Sequence, residues 1–324
     1  MMQVMTYPHP PPETWDQILD YLWDDTPSLK ACSMSCRSWL PRARYHLFYT
    51  MSVYTVQDCE RVRSFLDASP EHWRFVRQLR VESFCNVPIL MLNPRRANAA
   101  LRTILPRLQN VEHLVLGLLD WEADLSSETR HALTSFPLLR TLRCEGTIFR
   151  NYDAVFDILS AMPRALRSFH CIAPPSWYNM WTPAAGMDRA KPLPLCPSFD
   201  RLESLALHTI LPGVVSRVVP WLEHKLCPRE LEVTCSGPED REALVRLLDS
   251  MDVAQCIEDL KINDIVHWVQ SRIPFDPTRK PFTFANLTRL RSLTLVIRPG
   301  HIQHPWLSWV LAEIPSRVLQ RLTL

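Results

Sequence analysis

Leu139-Arg140-Thr141-Leu142-Arg143-Cys144 sets an apolar residue, two others, a second apolar residue, one other and a last apolar residue. The spacing returns in FVRQLRV (75–81), VEHLVL (111–116), LRSFHC (166–171), LESLAL (202–207), IEDLKI (257–262), LRSLTL (290–295) and LQRLTL (319–324), with RELEV (229–233) as a weaker ninth copy. The central residues are Leu79, Leu114, Leu142, Phe169, Leu205, Leu231, Leu260, Leu293 and Leu322, in steps of 35, 28, 27, 36, 26, 29, 33 and 29. Alternation inside each copy is the period of a strand, and recurrence about every 30 residues is the period of a solenoid.

Between the copies lie stretches with helical spacing: 97–108, 126–136, 153–162, 214–226, 239–251 and 306–314. A strand followed by a helix cannot bury its apolar side alone, so neighbouring units must stack. The pattern resembles a leucine-rich repeat, in an irregular form whose copies lack the usual Asn or Cys. The resemblance implies an α/β solenoid with parallel strands and outer helices over residues 51–324. The chain stops inside a strand signature at Leu324 without a polar cap, as a truncated array or a frayed edge strand would.

Because strand side chains alternate, the neighbours of the inward leucines form the expected contact surface. They are Gln78, Arg80, His113, Thr141, Arg143, Ser168, His170, Asp259, Lys261 and Arg321, mixed in charge with a slight basic excess toward the N-terminal half. Arg80, Arg143, His170 and Lys261 are the candidates for substrate contact, although an ordinary solvated face would show the same residues. A proline-rich interval between Cys171 and Leu202 adds Trp177, Tyr178 and Trp181, because long loops carrying aromatic side chains often bind partners. Residues 273–285 make a weaker case of the same kind. Cys144 and Cys171 fill the last apolar place of their copies and are expected in the core.

Ahead of the repeats, Trp15, Ile18, Leu19 and Leu22 share one helical face, with Pro11 and Pro12 suited only to the start of that helix. Thr26 before Pro27 predicts an N-cap, and Leu29, Cys32, Cys36 and Trp39 give a second helix its apolar face, which Pro41 bends or ends. PPETWDQILDYL followed by SLKACSMSCRSWLPRAR resembles the F-box over residues 10–50, in the form common in large fungal families. The match departs from the usual pattern at Pro10, Thr14 and Ser35.

The resemblance implies that Pro11, Pro12, Trp15, Ile18, Leu19, Leu22, Leu29, Cys32, Cys36 and Trp39 dock on a Skp-family adaptor. Through the adaptor the chain would join cullin and RING subunits as the substrate receptor of a ubiquitin ligase, with an unknown protein as substrate. F-box chains with a repeat tail are a familiar combination. Two alternatives stay open: the helices only cap the following domain, or the chain is a non-catalytic scaffold that binds a partner without ubiquitin transfer.

Composition narrows the remaining classes. Thirty-six Lys and Arg against 34 Asp and Glu leave a charge of +2, which points to neither nucleic acid nor a membrane surface. Six widely separated glycines form no phosphate loop, dinucleotide fingerprint or nucleophile elbow. Cys32 with Cys36, and His301 with His304, lack the second pair that a zinc site needs. With no basic segment leading an apolar core and no apolar run of about 18 residues, the expectation is a cytoplasmic or nuclear protein with neither signal peptide nor membrane span. Its ten cysteines are expected to be reduced, and it needs no cofactor, metal or catalytic residue of its own.

Overall fold

The computed structural model describes residues 11–82, 94–149, 152–172, 201–208, 214–225, 227–235, 238–263, 284–296, 312, 314 and 319–323. Three helices come first, α1 (Pro12–Tyr21), α2 (Thr26–Ser35) and α3 (Leu40–Tyr49), and α3 runs directly into β1 (Thr50–Val53). Then follow α4 (Val56–Ala68), β2 (Gln78–Glu82), α5 (Pro94–Ile104), β3 (His113–Gly117), α6 (Ser127–Thr134), β4 (Thr141–Glu145), α7 (Tyr152–Ala161) and β5 (Ser168–Ile172). The C-terminal half holds β6 (Ser204–His208), α8 (Val214–Lys225), β7 (Glu230–Thr234), α9 (Pro238–Asp249), α10 (Met251–Ala254), β8 (Asp259–Asn263), β9 (Ser292–Val296) and β10 (Arg321–Thr323).

The ten strands form one sheet in sequential order, every neighbouring pair parallel. All nine copies of the signature are strands, and the register sets their central residues side by side from Leu79 to Leu322. Sequential parallel strands joined by crossovers of one hand keep the connecting helices on one face. Burial agrees: up to β9 the central and last apolar places are buried together with the apolar sides of the helices, from Val53 through Leu114, Phe156, Leu244 and Leu293, and only on the edge strand β10 is the central residue, Leu322, exposed. The architecture is therefore an open α/β sheet of solenoid type, with one covered face and one face lined by the alternate side chains.

Local chemistry accounts for the element ends. Thr55 and Asp58 make a reciprocal capping box at the start of α4, and Ser126 caps α6 by accepting from the Thr129 N–H. Leu118, just after β3, has a φ of 50°, and Gly146, just after β4, has 72°, so one turn geometry serves both repeats although only one of them carries the residue that adopts it freely.

Several boundaries differ from the sequence expectation. Asp25, not Thr26, caps α2 by accepting from Ser28, and α2 ends at Ser35, so Cys36 and Trp39 lie beyond it. Pro41 falls in the first turn of α3, where no N–H is required, and so helps start a helix instead of ending one. Thr50 already pairs with Gln78, which puts the expected 50/51 domain boundary inside β1. Pro106 turns the end of the 97–108 stretch into the short 3-10 helix Leu105–Arg107, and Ser250 divides 239–251 between α9 and α10. The 306–314 stretch lies almost wholly outside the described residues.

Candidate functional site

Two surfaces carry the residues singled out from the sequence. In the helical unit, Leu19, Leu29 and Ala43 are buried. Leu19 and Leu29 therefore hold the unit together, which corrects the expectation that they belong to the open docking face. Asp20 of α1 receives Arg42 of α3 through two hydrogen bonds, 2.5 and 2.6 Å, and lies 2.7 Å from His46 Nε2. Arg42, opposed by burial and aided by His46, holds the Asp20 carboxyl below its ordinary range. Trp15 meets Trp39 at 4.8 Å between ring centroids and 43° between planes, and both line a groove with Pro12, Cys36, Pro41 and Tyr45. Pro11 and Pro12 are exposed, while Leu22 and Cys32 are partly covered.

Larger apolar groups stand open where the sequence reading did not place them. Tyr21 is 85% exposed, Met34 82% and Trp23 67%, the three highest values for large apolar side chains among the described residues, and Ile18 is 45% exposed. Tyr21 is three residues from Ile18, so the two are neighbours on α1. Tyr21 and Met34 fall off the buried apolar stripes, and Trp23 follows the end of α1, so periodicity gave no signal for them.

On the uncovered face of the sheet, register brings Arg80, Arg143, His170 and Lys261 into one row, with Val115, Ala206 and Glu232 filling the same row on β3, β6 and β7. The next row holds Glu82, Gly117, Glu145 and, farther along, His208. Arg80 pairs with Glu82 on its own strand and reaches over β3 to Glu145 at 2.8 Å, while Arg143 meets Glu145 at 2.9 Å. Gly117 makes room for this bridge, because a Cβ there would stand 2.4 Å from Glu82 Cγ. Val115, beneath the bridge, is buried.

A second network crosses β6, β7 and β8. His208 Nε2 lies 2.8 Å from Glu232 Oε1, and Lys261 also pairs with Glu232. The other imidazole nitrogen, Nδ1, lies 2.9 Å from Asn263 Nδ2 and 3.1 Å from Thr234 Oγ1. An amide NH₂ can only donate, so Nδ1 accepts and Nε2 carries the proton that faces Glu232. Burial would raise the Glu232 carboxyl, but hydrogen bonds from His208 and Lys261 outweigh it and bring the pKa down to about 2. His170 lies 3.1 Å from Ser204 Oγ, and burial, joined by Arg143, lowers its pKa, which favours the neutral ring.

The expected basic excess on this face is thus offset by Glu82, Glu145 and Glu232. Aligning the copies one place beyond their last apolar residue would have found the first two. Cys144 and Cys171 are buried side by side, and desolvation pushes the Cys171 thiol up to about 12. Buried, protonated thiols are core residues and poor nucleophiles. Trp177, Tyr178, Trp181 and the 273–283 stretch lie outside the described residues.

No group of three metal-ligating side chains converges among the described residues, and no described helix is long and apolar enough to cross a membrane. A scan against protein-family models finds no match to the chain, and a search of curated proteins finds none either.

Proposed function

We propose that this chain is the substrate-recognition subunit of a Skp, cullin and F-box ubiquitin ligase, acting in the cytoplasm or nucleus. The helical unit docks on the Skp-family adaptor, and the open face of the repeat sheet binds a protein substrate. The chain itself supplies no ubiquitin-transfer chemistry; cullin and RING subunits reach it through the adaptor.

The observation that carries this reading is the concentration of bare apolar surface in α1, α2 and their connection. Tyr21, Trp23 and Met34 are solvent-exposed in the segment whose sequence resembles the F-box. Exposed aromatic and Met side chains lose contact with water when a partner covers them, and such residues are favoured at interface centres. The sheet face differs in offering paired charges around small and hydroxyl side chains, which suits selection among partners by geometry.

Co-purification of the full chain with a recombinant Skp adaptor tests the proposal. The chain should retain adaptor and cullin, and Tyr21→Asp with Met34→Asp should abolish retention without altering the fold seen by circular dichroism. An unmodified chain that retains no adaptor overturns the reading. Retention without cullin-dependent turnover of any bound partner would instead mark a scaffold.

A further inference from the structure

The six residues Phe48-Tyr49-Thr50-Met51-Ser52-Val53 have the apolar spacing of the repeat signature, and Met51 stands 28 residues before Leu79, one ordinary step. The structure treats them as a copy: Met51 pairs with Leu79 and Val53 with Val81. The Tyr49 carbonyl accepts from the Arg77 N–H at 3.0 Å, just as the Arg77 carbonyl accepts from Glu112 at 2.7 Å in the next unit. Tyr49 is also the last residue of α3. The helical unit therefore ends on the first rung of the repeat ladder, with no residue left over as a linker.

Side chains reinforce the join. Phe48, in the first apolar place of this copy, meets Phe65 of α4 at 5.2 Å and His72 at 4.6 Å; Phe65 and His72 are 5.3 Å apart. His72 belongs to the 3-10 helix Pro70–Phe75 and is buried, although it is a polar residue. Arg42 in the first turn of α3 and His46 in its last turn both contact Asp20 and tie α1 to the same helix. A chain of direct contacts thus runs from α1 through α3 into β1 and β2, and packed contacts of this kind resist hinge motion where a loop would allow it.

We infer that α3 and the Phe48, Phe65 and His72 cluster form a rigid coupler, which holds the docking helices at one fixed orientation to the sheet. Given the ligase reading, a substrate on the sheet is presented to the rest of the assembly in a single direction, and Phe48 is a positioning residue although it touches neither partner.

Spin labels carried on unnatural amino acids at Lys30 of α2 and Asp157 of α7, both exposed, allow a distance measurement in the full chain. The unmodified protein should give one narrow distance distribution, and Phe48→Ala with Phe65→Ala should lose that single peak. Phe48→Leu, which keeps the apolar place filled, separates loosening from failure to fold: it should broaden the distribution while leaving circular dichroism unchanged. A broad or double distribution in the unmodified chain, or an unaltered narrow one in a folded Phe48→Ala Phe65→Ala variant, overturns the inference. No adaptor is needed, so loss of the ligase reading leaves this result standing. Within that reading, the loosened variant should still bind adaptor and substrate but lose substrate turnover.

Discussion

The helical unit and the repeat sheet solve opposite problems. In α1, α2 and α3 the buried residues are Leu19, Leu29 and Ala43, while Tyr21, Trp23 and Met34 remain open to water. In the sheet, an apolar layer runs unbroken from Val53 to Leu295, and on the open face Arg80, Arg143 and Glu145 pair with one another, as do His208, Glu232 and Lys261. A unit of about 40 residues cannot cover all its apolar surface by itself. The contrast teaches that the first region leaves large apolar side chains open to water, whereas the second buries its apolar layer and pairs much of the charge on its open face.

The largest expected effect strikes the layer that distinguishes the sheet. Phe169 lies between Leu142 and Leu205 in the ladder of central residues and is fully buried. Phe169→Ala removes the ring and leaves a cavity that neighbouring strands cannot close, so it should cost about 3–5 kcal/mol. Urea denaturation followed by far-ultraviolet circular dichroism reads that loss. A cost near zero would mean that the sheet is as loosely packed as the helical unit, and the contrast would fail.

A middle-sized effect belongs to the paired charges. Glu232→Gln replaces a carboxylate that holds both His208 and Lys261, and should cost about 2 kcal/mol at neutral pH. The same substitution has a pH signature. Glu232 titrates near 2 in the folded chain against an ordinary 4.5, so its contribution is complete above about 4.5 and is lost as pH falls toward 2. Stability of the native chain should decline across that window more steeply than that of Glu232→Gln. Parallel declines would show that the network does not hold the carboxyl, and that the open face is less satisfied than its geometry indicates.

How much of this could be read from the sequence follows the same division. Strand positions were legible because burial on one face enforces apolar residues at alternate places, and stacking enforces their return. The copy at Phe48–Val53 escaped because it overlaps RARYHLFY, whose spacing also satisfies a helix, and Phe48 serves both elements. The networks around Glu145 and Glu232 escaped because Glu145 also meets Arg80 two strands away and Glu232 meets His208 and Lys261 on the neighbouring strands, and register decides which side chains meet. In the helical unit, periodicity located Leu19 and Leu29 but assigned them to the docking face. A stripe marks what is buried, and in so small a unit the stripe is consumed internally. Cys36 and Trp39 were misplaced because Pro41 was read as an end, when proline's missing N–H fits a helix start equally well.

The smallest expected effect on stability tests the other side of the contrast. Trp23 follows the end of α1, is 67% exposed, and heads no buried cluster. Trp23→Ser should change the urea midpoint by less than about 0.5 kcal/mol, the usual range for a surface position without a special backbone role. On the proposed reading it should nonetheless weaken adaptor capture, because a large aromatic covered by a partner contributes more to association than it does to the free fold. Paired measurements of unfolding and capture on this one variant therefore separate the two regions. Loss of stability would assign Trp23 to the fold of the helical unit, whereas unchanged stability with weakened capture would assign it to the surface through which that unit associates.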